Sequence, residues 1–161
     1  MWAVDAGIIK GYDDHTFRPD NPCTRSQFVT MVWRMAGRPT ANVEVDFTDV
    51  SKDMSAYRAI QWAVSEGIIV GYKDNTFKPN NTVTREQAAV IIWRWQRRPK
   101  ASLNSNSFSD VDSNASSYKA ILWGAEKGVI KGYSDGTFRP KENCKRKHAV
   151  TFLYRLDRIT K

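Results

Sequence analysis

Three arginines, Arg25, Arg85 and Arg146, stand at equivalent points of a chain that states nearly the same sequence three times. A guanidinium is a planar fork of donors that fits a carboxylate or phosphate edge on, and it stays charged at every relevant pH. Each follows a proline and opens an apolar stripe at helical spacing, which puts it at a helix start. There the backbone N–H groups and the helix dipole add to the attraction for an anion. Anion capture by three forked cations is the chemistry this pattern offers. The competing reading of each arginine is an ion pair with a nearby carboxylate, or a solvated side chain.

Other chemistry is thin. The only histidines, His15 and His148, fall at non-equivalent repeat positions, and no nucleophile–base arrangement or glycine-rich phosphate loop is present. Asp14, Asp74 and Asp135 come one per repeat rather than paired for sugar hydrolysis. No enzyme activity and no cofactor are expected. An Asp-bearing loop raises calcium, but the ligand count is too low for six to eight oxygens, and Lys73 replaces Asp13 in the second copy. Cys23 and Cys144 align with Val83, which points to a small apolar packing position rather than a disulfide or metal site.

The loop that carries these aspartates defines the repeat. Gly11-Tyr12-Asp13-Asp14-His15-Thr16-Phe17-Arg18-Pro19 returns at Gly71–Pro79 and Gly132–Pro140, 60 and then 61 positions on. A period this long means an array of like modules. His15, Asn75 and Gly136 share a position suited to positive φ, and the preceding aspartates suit an Asx turn.

Two helices flank each loop. Helix A of the second copy is expected over Ser55 to Glu66, with Tyr57, Ile60 and Val64 on one face, and ends at Gly67; the third copy matches it and ends at Gly128. Helix B opens with Thr24-Arg25-Ser26-Gln27 or Thr84-Arg85-Glu86-Gln87, both capping boxes. The third copy reads Lys145-Arg146-Lys147-His148 and loses the threonine cap. Stripes at Phe28, Met31, Val32, Met35 and at Ala88, Ile91, Ile92, Trp95 bury one face of helix B. Trp2, Trp62 and Trp123 are expected in the core, with sugar stacking as the alternative. Asp49 and Asp110 suit either a helix cap or a sugar hydroxyl. The modules fall at 1–39, 46–99 and 107–161, joined by polar linkers.

The first copy lacks the opening of helix A, about 15 residues by comparison with Phe47 to Gln61. Its helix B is therefore expected to leave Phe28, Met31, Val32 and Met35 uncovered, inviting self-association. No leader is legible before Trp2. No run approaches the roughly 18 apolar residues of a membrane span. With 161 residues, 41% hydrophobic and 26% charged, the composition is globular; the net charge of +8 favours an anionic partner.

The Phe-x-Asp-Val openings at 47–50 and 108–111, the Trp-Ala-x-x-x-Gly-Ile-Ile-x-Gly-Tyr run at 62–72, the Asp-x-Thr-Phe-x-Pro loops and the Thr-Arg starts of helix B resemble the S-layer homology module over essentially the whole chain. That resemblance implies an all-α fold of tandem helix–loop–helix repeats packed as a pseudo-threefold three-module body, with grooves between neighbours. It implies secretion, localisation at the cell wall or S-layer, and non-covalent anchoring of a larger protein to an anionic, often pyruvylated, secondary wall polysaccharide. Carried onto this sequence, the ligand-binding set is Arg25, Arg85 and Arg146 with Gly11, Gly71, Gly132, Asp49 and Asp110. The family's Thr-Arg-Ala-Glu is altered in all three copies, and only the arginine persists. On this reading Arg85 contributes most, and the arginines, being exposed, matter little for folding. The alternatives are a nucleic-acid-binding repeat protein, disfavoured by dispersed basic residues and the lack of a recognised motif, and a protein–protein assembly module.

Overall fold

The computed structural model describes residues 1–102 and 107–161, so the expected linker over 100–107 lies partly outside the described residues. Six helices are present: α1 (Trp2–Asp5), α2 (Arg25–Met35), α3 (Tyr57–Ser65), α4 (Arg85–Trp95), α5 (Tyr118–Glu126) and α6 (Arg146–Thr160). Among the described residues there is no strand, only three isolated antiparallel bridges. The chain is all-α, and no described helix is long and apolar enough to cross a membrane.

Local chemistry sets the helix ends as expected. Thr24 and Thr84 accept from the N–H of Gln27 and Gln87, and each glutamine accepts back from its threonine's N–H. Lys145 makes no such cap at α6. Gly67 and Gly128 sit at φ of +64° and +69° beyond α3 and α5, where a side chain would be strained.

The pairing of helices differs from the expectation. Helix B does not rest on helix A of its own copy. Instead α2 packs on α3, α4 on α5, and α6 on α1, each crossing into the next copy and the last returning to the first. Phe28, Met31 and Val32 are consequently buried, and Met35 packs at the edge of the core. The expectation of an uncovered face on α2 is wrong, because α3 of the second copy covers it. Apolar surface is instead open at the α1–α6 contact, where Met1 and Tyr154 face solvent and Trp2 meets Tyr154 edge to face at 5.3 Å, and at scattered positions such as Val70.

A ring of main-chain hydrogen bonds joins the copies at their centre. The N–H of Cys23 donates to the Cys144 oxygen at 2.9 Å, Cys144 to Val83 at 2.8 Å, and Val83 to Cys23 at 2.9 Å. Only small side chains fit so close to three converging backbones, which accounts for Cys, Val and Cys at this position. Both thiols are free and buried, and burial pushes each up to about 12.

Outside this ring, each helix B start docks on another copy's loop. The N–H groups of Arg25 and Ser26 donate to Asn81 and Pro79, those of Arg85 and Glu86 to Glu142 and Pro140, and those of Arg146 and Lys147 to Asn21 and Pro19, all at 2.9–3.0 Å. The first two amides of each helix start, ordinarily left unpaired, are thereby satisfied inside the protein.

Candidate functional site

The loop is rigid for reasons its sequence supplies. Asp14 accepts from the N–H and hydroxyl of Thr16, Asp74 from those of Thr76, and Asp135 from those of Thr137. His15, Asn75 and Gly136 adopt φ of 60°, 59° and 80°. Arg18 and Arg139 close back on Asp14 and Asp135 at 2.8 and 3.1 Å. The threonine hydroxyl, aided by the arginine, holds Asp14 down at about 2, and the same bonds hold Asp135 at about 2.

Asp49 and Asp110 brace this loop from outside. The oxygens of Asp49 accept from the N–H groups of Phe77 and Lys78, each at 2.8 Å; those of Asp110 accept from Phe138 and Arg139, each at 2.8 Å. Neither caps helix A. Gly71 and Gly132 lie under the rings of Phe47 and Phe108, where an added Cβ would fall 2.2 and 2.4 Å from a ring carbon. These four residues are placed to build the loop. Gly11 has no ring above it and lines a groove.

Each arginine reaches from one copy onto the loop of another. The Nε–H of Arg25 donates to the Phe77 oxygen at 2.9 Å, that of Arg85 to Phe138 at 2.8 Å, and that of Arg146 to Phe17 at 3.0 Å. Arg85 also donates from Nη2 to the Lys131 oxygen at 3.1 Å. Their guanidinium carbons stand 4.9–5.0 Å from the Tyr72, Tyr133 and Tyr12 ring centres. The same rings also have Lys78, Arg139 and Arg18 over them at 4.2, 3.8 and 4.0 Å. Each tyrosine ring thus meets two cations, one from its own loop and one from another copy.

The arginines are 6%, 3% and 4% exposed, which corrects the expectation of solvated side chains. None forms an ion pair among the described residues, and burial pushes Arg25 below the ordinary arginine range without neutralising it. The first two amides of each helix start, invoked as co-binders, are used by another copy's loop carbonyls.

Two equivalent grooves open beside this arrangement. The first, about 260 Å³, runs along α2 between the Ile9–Tyr12 strip and Ser55–Ala56 of the second copy, with Arg146 entering from the third. The second, about 250 Å³, runs along α4 between Ile68–Tyr72 and Ser116–Ser117, with Arg25 entering from the first copy. Residues of all three copies meet in each. Arg85 lines neither groove; it lies under the Tyr133 loop, held by a bond its counterparts lack. Arg34 and Arg94 line the two grooves as a further equivalent pair, anchored to the Ile8 and Ile68 oxygens.

Trp62 and Trp123 are buried, in line with a core role. Sequence reasoning passed over the loop tyrosines and Arg34 and Arg94. Their recurrence at fixed repeat positions was the signal available.

The fold defines a class: a helical repeat body closed into a cycle, with cationic grooves walled by different copies. The chain belongs to the S-layer homology domain family, whose model matches residues 1–29, 46–89 and 107–150. It is 28% identical over 159 residues to cell surface glycoprotein 1 of Acetivibrio thermocellus, covering 91% of this chain and 7% of that protein. It is also 28% identical over 159 residues to the cellulosome-anchoring protein of the same organism, covering 93% of this chain and 35% of that protein. The surface-layer 125 kDa protein of Lysinibacillus sphaericus is 33% identical over 131 residues, 80% of this chain and 11% of that protein. The chain therefore spans about a third or less of these relatives.

Proposed function

We propose that this chain anchors a larger secreted protein at the bacterial cell surface by holding an anionic secondary cell-wall polysaccharide, pyruvylated in its recognised unit, in the grooves between repeats. One observation carries the reading: Arg25 and Arg146 are buried cations that form no ion pair among the described residues, Asp49 acting on Arg25 only from beyond contact, and both border open grooves. A buried charge is costly unless paired, and ring faces offset only part of that cost. An anionic group in the groove would complete the pairing. Family membership and the names of the relatives agree with anchoring. The role is binding, with the polysaccharide as partner and no catalytic step.

The test is co-sedimentation of the protein with purified cell walls before and after chemical removal of the secondary polymer. Binding is expected to be lost with the polymer, although the insoluble peptidoglycan remains. Undiminished binding to stripped walls would overturn the reading.

A further inference from the structure

The two grooves are built alike yet carry different charge. The first presents Lys10, Arg34 and Arg146 with no carboxylate, and the small hydroxyl of Ser26. The second presents Arg25 and Arg94 but places Glu86 where the first has Ser26, and Val70 where the first has Lys10. Glu86 is not a loose surface acid. Its side chain is 15% exposed, one oxygen accepts from the Ser117 hydroxyl at 2.7 Å across the groove, and the other pairs with Lys141. In the first groove Ala56 replaces that serine, so no such tie can form. Lys10 takes no ion pair among the described residues.

We infer that the grooves are not equivalent: the first is the anion site, and Glu86 makes the second refuse an anion. This rests on the anionic-ligand reading above. A fixed carboxylate facing a second anion in a partly desolvated groove is repulsive; its partner Lys141 is 83% exposed and so offsets it only in part, and replacing Lys10 by Val70 removes a further compensating charge. The bond from Ser117 fixes the Glu86 carboxylate in the groove wall. The residues that decide which groove binds are therefore Ser26 and Lys10 on one side and Glu86 and Val70 on the other. The ligand group they select is a carboxylate-bearing ketal or a phosphate.

The experiment exchanges those residues and counts sites. Titration calorimetry with amide NMR would use the methyl glycoside of a 4,6-pyruvylated hexose, the same sugar without its ketal, and inorganic phosphate. The native chain is expected to bind one pyruvylated sugar, with shifts at Lys10, Tyr12 and Ser26. Ser26→Glu should weaken this at least about tenfold, as like-charge contact predicts. The fold should persist, because Glu86 occupies that helix position in α4 behind an intact capping box. Glu86→Ser with Val70→Lys should add a second site, reported by Tyr72. All three exchanges together should leave one site, moved to the second groove. Two equal sites in the native chain would overturn the inference but leave the anionic-ligand reading standing. So would full affinity in folded Ser26→Glu, or a single site in the double variant. Equal binding of the ketal-free sugar, or no binding of any probe, would overturn both. Binding of phosphate alone at the first groove, with the same dependence on residues 26 and 86, would support the selection and replace the ketal.

Discussion

Arg146 donates its Nε hydrogen to the Phe17 carbonyl oxygen at 3.0 Å across a separation of 129 residues. That bond joins the last helix to the first loop and closes the cycle that Arg25–Phe77 and Arg85–Phe138 continue. The arginine is therefore a joint between copies as well as a cation beside a groove.

From this follows a stability prediction. Arg85→Ala should destabilise the fold more than Arg25→Ala or Arg146→Ala. It loses two charge-assisted bonds rather than one, and a hydrogen bond to a charged group is worth about 1.5–3 kcal/mol. Arg85→Lys should recover only part, since an ammonium cannot reproduce the fork. Urea denaturation of the three alanine variants measures this. A loss below about 0.5 kcal/mol at Arg85, the range of an ordinary surface substitution, would contradict the role as a joint.

The α6 start lacks the cap its counterparts possess. Lys145→Thr should stabilise the protein by about 1 kcal/mol by supplying an acceptor for the His148 N–H. The Lys145–Asp20 contact it gives up is exposed and 3.5 Å long, and Lys147 already holds Asp20 at 2.6 Å. Pairing Lys145→Thr with His148→Gln completes the box and should add to the gain. An unchanged denaturation midpoint would show that α6 does not need the cap.

Loop geometry should persist far into acid. Asp14 and Asp135 are held at about 2, below the ordinary 3.8, so their contribution is fully present above the unfolded value and is lost as pH falls through the folded one. Carbon-detected NMR should find both carboxyls titrating with midpoints near 2. Because both side chains are exposed, the effect should be a local loosening of the loops. A midpoint near 4 would contradict the threonine and arginine bonds.

Cys23 and Cys144 should react with a thiol reagent at pH 8 only as fast as the central ring opens. Burial holds both thiols near 12 and the ring leaves no path to solvent. Rapid labelling of the native protein would contradict the ring.

What the sequence made legible was local. Thr24 and Gln27 declared the helix start, Gly67 its end and Asn75 its turn, because each acts within a few residues of itself. Which helices pack together was not legible. A stripe such as Phe28, Met31, Val32 fits helix A of its own copy as well as that of the next, and a 60-residue repeat obeys both pairings. The fate of the arginines was hidden for the same reason: the carbonyls that bury Arg25 and Arg85 belong to residues 52 and 53 positions away. Asp49 and Asp110 were read as caps or sugar ligands because their partners, the amides at 77–78 and 138–139, are equally remote in sequence.

Those two aspartates separate scaffold from site. If Asp49 braces the loop, Asp49→Asn should lower stability, because an amide presents one acceptor oxygen where the carboxylate accepted two N–H bonds. The loss should be about 1.5–3 kcal/mol, the worth of one hydrogen bond to a charged group. Asp110→Asn should cost less, since Asp110 is more exposed than the half-buried Asp49. Affinity for wall polymer should change only as far as the Tyr72 loop moves, and a binding loss without a stability loss would restore Asp49 as a direct ligand. Denaturation and polymer titration on the same samples, with amide shifts at Phe77 and Lys78 reporting the brace, read both quantities. A stable Asp49→Asn with unmoved Phe77 and Lys78 amides would contradict the brace.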